Sequence, residues 1–310
     1  MKVLVTGADG FAGRHLVREL LGRGHQVRGA VRPDGGAAAL PAEVAVVPLE
    51  LTDGASVDAA LAEPCDAIVH LAALASSAEA RRDPAAAWVV NAAGTARVAE
   101  AAARLRDTGA ADPRLLVISS GEVYGEATHP VTEADETRPQ SPYAASKVGA
   151  EVAALEVGRR TGLGVLIARP FTHTGPGQRS VFFVPAMLDR LREAKAGGQR
   201  SVRVGNLAPV RDLTDVRDVV RAYALLLEQG EAGATYNVSR GEGVALGDVF
   251  ARMAAAVGVD ATPEPDPALL RRADLPFLVG DSTKLTRTTG WTPAIDLDQT
   301  LADMLDAEAH

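Results

Sequence analysis

The feature that most constrains this chain is a glycine-rich turn directly after its first apolar segment. Val3-Leu4-Val5 leads into Thr6-Gly7-Ala8-Asp9-Gly10-Phe11-Ala12-Gly13, with glycines spaced three residues apart. The first glycine permits a tight turn, the second lets a pyrophosphate approach the backbone, and the third lets the helix pack closely on the strand. Amide groups at the helix start then hold the anion. The order strand, turn, helix therefore predicts a dinucleotide-binding fold.

Strand-like and helical segments alternate through the first two thirds of the chain. Near-continuous apolar runs predict strands at 2–6, 26–31, 44–48, 67–71, 115–119 and 163–168. Helical patterns cover 13–23, 56–62, 85–108 and 142–161. Strands that are apolar throughout are typical of a parallel sheet covered on both faces. We predict an α/β protein with a Rossmann-like, doubly wound parallel sheet and a smaller C-terminal substrate-binding lobe.

The texture of the sequence changes after Arg169, where prolines and glycines between 170 and 185 break regular structure. We expect residues 1–168 to form the NAD(P)-binding Rossmann domain, with 211–238 returning to it. Residues 169–310 are expected to form the substrate lobe. Prolines at 263, 265 and 267 predict a surface loop before Leu269.

Composition excludes several classes of protein. The 310 residues carry a formal charge of −8, without a basic patch, which argues against a nucleic-acid partner. No apolar run approaches the ~20 residues of a membrane span, and the first residues do not resemble a signal peptide. The single cysteine, Cys65, is interpreted as a small buried hydrophobe and indicates a reducing, cytoplasmic setting. No metal site is predicted.

The end of the second predicted strand indicates which cofactor the chain prefers. NAD enzymes usually place an acidic residue there for the ribose 2′-hydroxyl, whereas an arginine favours a 2′-phosphate. Here Arg32 fills that position and Asp34 lies slightly too far along the chain. We therefore expect NADP(H) to be favoured over NAD(H).

Tyr143 and Lys147 stand four residues apart in a predicted helix, so their side chains share one face. A free tyrosine has a pKa of about 10 and is a poor acid–base group at neutral pH. A nearby ammonium favours the phenolate. The pair can therefore exchange a proton with a carbinol oxygen while a nicotinamide carries the hydride.

Several segments, taken in their order, resemble the extended short-chain dehydrogenase/reductases, the epimerase/dehydratase family that modifies nucleotide-linked sugars. They are the glycine turn, His70-Leu71-Ala72-Ala73, Asn91 with Gly94-Thr95, Ser119-Ser120-Gly121-Glu122-Val123-Tyr124-Gly125, and Ser141-Pro142-Tyr143-Ala144-Ala145-Ser146-Lys147. The resemblance implies that Ser120 binds the sugar oxygen, Tyr143 is the acid–base and Lys147 also holds the nicotinamide ribose. The cofactor site that it implies comprises Gly7, Asp9, Gly10, Phe11, Ala12, Gly13, Arg32, Leu51, Leu71, Ala72, Ala73, Tyr143, Lys147 and Pro170. We interpret His70 and Tyr124 as structural residues.

The last third resembles the substrate lobe of GDP-mannose dehydratases and GDP-4-keto-6-deoxymannose reductases, notably at 169–178 and 211–216. A second diphosphate must be held there, and arginines make bidentate, charge-assisted bonds to such groups. The expected substrate-binding residues are Ser76, Ser120, Thr172, Val184, Asn206, Arg211 and Arg271. Thr172 departs from the subgroup, where asparagine is usual, and this leaves the exact sugar nucleotide open.

The leading interpretation is NADP(H)-dependent reduction of a nucleotide-linked 4-keto-6-deoxyhexose, GDP-4-keto-6-deoxymannose to GDP-rhamnose. The alternative is a 4,6-dehydratase acting on GDP-mannose or another sugar nucleotide, in which Glu122 takes the elimination step. A sugar-nucleotide epimerase and a non-catalytic dinucleotide-binding regulator stay open behind them. The Ala-rich helices at 85–108 and 142–161 carry apolar residues on more than one face, so we expect a homodimer formed through them.

Overall fold

The structure is a computed structural model that describes residues 1–36, 40–270 and 275–307. Its strands are β1 (Lys2–Thr6), β2 (Gln26–Val31), β3 (Ala45–Pro48), β4 (Ala67–His70), β5 (Arg114–Ile118), β6 (Gly164–Pro170), β7 (His173–Thr174), β8 (Ser201–Val204), β9 (Val210–Asp212), β10 (Thr214–Asp215), β11 (Thr235–Val238), β12 (Gly243–Ala245), β13 (Thr262–Pro265) and β14 (Phe277–Leu278). Its α-helices are α1 (Phe11–Gly22), α2 (Gly54–Ala60), α3 (Ser77–Arg82), α4 (Pro84–Ala87), α5 (Gly94–Asp107), α6 (Pro142–Thr161), α7 (Phe183–Ala196), α8 (Val216–Gln229), α9 (Leu246–Val257), α10 (Thr283–Thr289) and α11 (Leu297–Ala307).

Seven parallel strands form the central sheet in the order β11-β6-β5-β4-β1-β2-β3. β1 lies inside the sheet, where Thr6 pairs with Ala30 of β2 on one side and with His70 of β4 on the other. The strand order reverses at this point, and in such sheets ligands bind in the crevice beyond the carboxyl ends of the strands. The predicted Rossmann-like parallel sheet is confirmed.

Helices cover both faces of the sheet because its strands are apolar on both sides. On one face Leu16 of α1 and Tyr223 of α8 belong to the same buried cluster. On the other face α5 and α6 supply Val98 and Val157 to a second cluster. α6 begins cleanly because Ser141 caps it, accepting a hydrogen bond from the Ala144 amide at 3.1 Å.

The smaller lobe has its own apolar core, in which α7, α9 and α11 pack around β8. Leu188, Phe250 and Leu301 are buried at its centre. Two further small sheets, β12-β9-β14 and β10-β7, lie among the segments that follow β6. The predicted lobe is therefore confirmed, while the division at residue 168 stays a prediction. Among the described residues, no helix combines the length and apolar character that crossing a membrane requires.

The helix predicted over 85–108 is confirmed, with one correction to its geometry. The segment is α4, a π-helical turn over Trp88–Ala93, and then α5. Inside this turn the Asn91 side chain bonds the backbone of Leu74, accepting from its amide at 2.8 Å and donating to its carbonyl at 3.1 Å. The wider turn therefore accompanies a contact with a distant loop, and single π-helical turns are frequent at functional sites.

The surface loop predicted at the three prolines is also corrected. Residues 262–265 form β13, which pairs with β8 in a two-stranded sheet at the surface. The amides of Thr262 and Asp266 bond the carbonyls of Arg200 and Val204. Proline lacks an amide hydrogen and is tolerated where that position faces away from the partner strand. The predicted strands of the central sheet otherwise differ from the observed ones by one or two residues at their ends.

Candidate active site

The glycine turn joins β1 to α1 at the carboxyl edge of the sheet. Gly7 has φ +69°, and a Cβ there would lie 2.9 Å from the Ala72 backbone. A Cβ on Gly13 would lie 2.2 Å from the Gly7 carbonyl oxygen, so α1 could not approach the turn. Gly10 is exposed at the helix start. The turn thus leaves room only for backbone, and it presents helix N-terminal amides to an anion.

The loop after β2 is tied to this turn through Asp9. Its Oδ2 accepts a hydrogen bond from the Gly36 amide at 2.9 Å. Arg32 stands on the same loop with 73% of its side chain exposed, and its Nε lies 3.7 Å from Oδ1 of Asp34. A guanidinium that is exposed beside the turn can receive a further phosphate.

The other predicted cofactor residues lie around the same edge. Leu71, Ala72 and Ala73 follow β4, and the Ala72 amide donates to Thr6 Oγ1 at 3.1 Å. Leu51 is buried, and a Cβ added to Gly94 would meet its side chain at 3.0 Å. These residues line the switch point between β1 and β4.

Phe11, Ala12 and Pro170 connect the turn with the beginning of the smaller lobe. Phe11 and Ala12 open α1, and Pro170 ends β6. The Phe11 ring stacks on His173, with ring centroids 6.1 Å apart. The Gly177 carbonyl also accepts a hydrogen bond from Arg14 of α1 at 3.1 Å. The first helix therefore touches the segment that leads into the lobe.

His70 is the last residue of β4, and both of its ring nitrogens make hydrogen bonds. The Thr95 hydroxyl donates to the Asn91 carbonyl at 2.6 Å, so Thr95 Oγ1 can only accept from His70 Nε2, 3.1 Å away. His70 Nδ1 then accepts from the Thr6 hydroxyl at 2.8 Å. Burial and the charge of Lys147 lower the pKa of His70 to about 3. His70 is therefore a neutral structural residue, in agreement with the sequence-based interpretation.

Tyr143, Ser120 and Glu122 meet at the start of α6. Burial raises the pKa of Tyr143 above its ordinary value, the charge of Glu122 adds to this, and a hydrogen bond with Ser120 opposes both. Ser120 Oγ accepts from the Glu122 amide at 3.1 Å, which leaves its hydroxyl hydrogen to donate. The Ser77 hydroxyl donates to the Glu122 carboxylate at 3.3 Å. The phenol thus keeps its proton until a strong acceptor arrives.

Lys147 lies one helical turn after Tyr143 and is 6% exposed. Its Nζ donates to the Ile118 carbonyl oxygen at 2.8 Å, at the end of β5. Burial lowers the pKa of Lys147 to about 8, and the charge of Glu151 opposes this shift. The ammonium has two further N–H groups to offer.

Sequence reasoning missed an ion pair beside Lys147. The Glu151 carboxylate accepts from Arg169 Nε at 2.9 Å and from Nη2 at 2.6 Å, and it also accepts from the Ser119 hydroxyl. Arg169 Nη1 donates to Tyr124 Oη at 2.9 Å, and Tyr124 donates to Asn237 Oδ1 at 2.7 Å. The four-residue spacing from Lys147 to Glu151 was the available signal, since it repeats the spacing from Tyr143 to Lys147.

The predicted substrate residues are less closely grouped. Thr172 is exposed after β6, and Arg211 lies on β9 with Nη1 bonded to the Val210 carbonyl at 2.9 Å. Asn206 is exposed, and its Oδ1 accepts from the Ala208 amide. The Val184 side chain is 3% exposed in the core of the lobe, so only its backbone can meet a ligand.

Two further predictions concern Ser76 and Arg271. Ser76 caps α3, accepting from the Glu79 amide at 3.3 Å, and it precedes Ser77, the partner of Glu122. Arg271 lies outside the described residues.

Comparison with known proteins agrees with this geometry. A profile of the GDP-mannose 4,6-dehydratase family matches residues 4–304. The chain is 36% identical to GDP-6-deoxy-D-mannose reductase of Pseudomonas aeruginosa, over 98% of this chain and 96% of that protein. It is 32% identical to UDP-glucose 4-epimerase of Mycolicibacterium smegmatis, over 99% and 98% of the two chains.

Solved structures show the same similarity. RMD from Pseudomonas aeruginosa, complexed with NADPH, superposes with a TM-score of 0.83 at 33% identity, covering 99% of this chain and 98% of that one. UDP-glucose 4-epimerase of Thermus thermophilus, complexed with NAD, gives 0.88 at 31% identity over 99% and 98%. These relatives bind nicotinamide dinucleotides, and the glycine turn fits such a group. The chain belongs to the GDP-mannose 4,6-dehydratase family, within the extended short-chain dehydrogenase/reductases.

Proposed function

We propose that the protein is an NADP(H)-dependent reductase of a nucleotide-linked 4-keto-6-deoxyhexose, converting GDP-4-keto-6-deoxymannose to GDP-rhamnose. The observation that carries this proposal is the position of the Tyr143 phenol, which is buried next to Ser120 and lies one helical turn from Lys147. Reduction of a ketone requires a proton donor at the oxygen, and a phenol with a raised pKa holds the proton that it must deliver. The 36% identity to GDP-6-deoxy-D-mannose reductase supports the choice of sugar.

In this mechanism the Ser120 hydroxyl donates a hydrogen bond to the ketone oxygen and fixes its position. Tyr143 then transfers its phenolic proton to that oxygen. The resulting phenolate is stabilised by Lys147, whose charge is strong in a buried site. The glycine turn formed by Gly7, Gly10 and Gly13 would hold the cofactor, which would supply the hydride when it is bound. Arg211, Thr172 and Asn206 are proposed to bind the sugar nucleotide.

The second candidate is a 4,6-dehydratase. It is favoured by the family profile and by Glu122, whose carboxylate acts electrostatically on Tyr143. Elimination of water across C5–C6 needs an acid–base group beyond Tyr143, and Glu122 is the proposed one. In the reductase, by contrast, Glu122 is proposed only to hydrogen-bond substrate or backbone. Its hydrogen bond from Ser77 helps to hold it in position.

Redox stoichiometry separates the two reactions. With GDP-4-keto-6-deoxymannose as substrate, the absorbance of reduced nicotinamide is expected to fall. The fall should correspond to one NADPH oxidised for each molecule of product formed. A dehydratase recycles its cofactor and consumes none. Turnover of GDP-mannose without net loss of NADPH, abolished by Glu122→Gln, would establish the second candidate instead.

Tyr143→Phe tests the acid–base assignment within the same assay. Turnover is expected to fall by roughly 10²–10⁴, the usual contribution of general acid–base catalysis. Cofactor affinity, measured by calorimetry, is expected to change little because the ring still packs against Ala80 and Ala87. Near-normal turnover of this variant would remove Tyr143 from the mechanism.

Cofactor preference is proposed to rest on Arg32. Arg32→Ala is expected to weaken NADPH binding by roughly 10- to 100-fold, the range for losing charge-assisted hydrogen bonds, and to leave NADH binding unchanged. Arg18→Ala removes an equal charge from the exposed side of α1 and serves as the control. Calorimetry decides the matter: equal affinities of the wild type for NADPH and NADH would contradict the proposal.

We further propose a homodimer formed through α5 and α6. A groove of about 550 Å³ lies between these helices, lined by Trp88, Gly149 and Val152 among others. Trp88 is 46% and Val152 62% exposed, although both are apolar. Large exposed apolar patches mark association sites, and a second copy of the same face would cover both residues. The cytoplasmic location stays a prediction.

Val152→Arg is expected to convert the dimer into a monomer, because it places a charge at the centre of the apolar face. Val181→Arg makes the same change at a valine that is 64% exposed outside this face, and it should leave the mass unchanged. Analytical ultracentrifugation measures both. A monomeric wild type, or a Val152→Arg variant that stays dimeric, would refute this assembly.

A further inference from the structure

Lys147, Glu151 and Arg169 form a group of buried charges next to the start of α6 and the ends of β5 and β6. These residues are 6%, 4% and 8% exposed. An isolated buried charge is strongly unfavourable. The Lys147 ammonium donates to a neutral group, the Ile118 carbonyl, and the nearby His70 is neutral as well. Glu151, one helical turn further along α6, is the anion that acts on it.

Glu151 is held rigidly in place. Arg169 of β6 donates to both of its oxygens as a bidentate pair, at 2.9 and 2.6 Å, and Ser119, the residue after β5, donates to one of them. Arg169 is itself fixed by Tyr124. Contacts from β6 and from the residue after β5 therefore determine where this carboxylate lies.

We propose that Glu151 is a positioning residue that keeps Lys147 protonated, with Arg169 holding the carboxylate that does so. The inference rests on the proposed function for the role of the lysine, but not for its charge state. The cluster carries two cations and one anion, so its net charge is one positive unit. Without Glu151, both cations would be buried without an anion.

The consequence for activity has a definite sign. An amine loses its charge as pH rises through its pKa, and Lys147 reaches that point at about pH 8. The rate of reduction should therefore be highest below that pH and should decline above it. Removing Glu151 lowers the pKa of Lys147, so the decline should begin at lower pH. Among the described residues, the lysine also acts on His70 of β4, and Tyr143 precedes it by one turn of α6. Glu122, after β5, acts in turn on Tyr143.

The charge of Lys147 can be measured without any substrate. The chain contains four lysines, Lys2, Lys147, Lys195 and Lys284. Labelling them with ¹³C at Cε gives a small set of NMR signals whose shifts follow ammonium titration, and Lys147→Arg assigns the one of interest. In Glu151→Gln of the full-length protein, the Lys147 midpoint is expected to fall by at least one pH unit, about a tenfold change in the ratio of neutral to charged amine.

Further variants distinguish this role from a structural one. Glu151→Asp keeps the charge and should restore most of the wild-type midpoint. Glu136→Gln removes a glutamate whose side chain is 71% exposed and should leave the midpoint unchanged. If Glu151→Gln does not fold, the double variant Glu151→Gln/Arg169→Met removes both ions of the pair. Its Lys147 midpoint should still be lower than that of the wild type.

The pH profile of kcat/KM for NADPH-dependent reduction is the second readout, and its basic limb should move with the NMR midpoint. If the wild type reduces no 4-keto sugar nucleotide, the proposed function fails while the NMR titration still decides the role of Glu151. A Lys147 midpoint that is unchanged in the folded single or double variant would overturn the proposal.

Discussion

The candidate active site depends most on one buried cation, the Lys147 ammonium, at the carboxyl edge of the sheet. Lys147 is nearly inaccessible to water, yet it donates to the end of β5 and stands one turn from Tyr143. Keeping an ammonium in such a place requires a carboxylate nearby and neutral groups elsewhere. Glu151 meets the first condition, and the neutral tautomer of His70 meets the second.

The same edge explains why the cofactor turn and the acid–base pair belong together. β1 and β4 are neighbours at the point where strand order reverses, so the glycine turn and the His70 chain of hydrogen bonds share one crevice. Thr6 serves both, because its hydroxyl donates to His70 and its oxygen accepts from the Ala72 amide. A substitution that distorts one part of this edge is therefore expected to affect the other.

Much of this organisation could be predicted from the sequence because it depends on local spacing. The glycines of the turn, the strands of the sheet and the four-residue step from Tyr143 to Lys147 are all short-range patterns.

The parts that could not be predicted depend on contacts between distant residues. Glu151 meets Arg169 across 18 positions, and Asn91 bonds Leu74 from inside a π-helical turn. Val184 stays a predicted substrate residue, and the amphipathic pattern of α7 buries its side chain in the lobe, so that only its backbone can meet a ligand.

Tyr143 and its neighbours are proposed to serve direct reduction of a sugar carbonyl. Hydride transfer can be followed with GDP-4-keto-6-deoxymannose as substrate and NADPH that carries deuterium at the transferable position of its nicotinamide C4. Mass spectrometry and NMR of the product are expected to find one deuterium at sugar C4 for each NADPH oxidised. A product that forms at the same rate without deuterium at that carbon would contradict the claim.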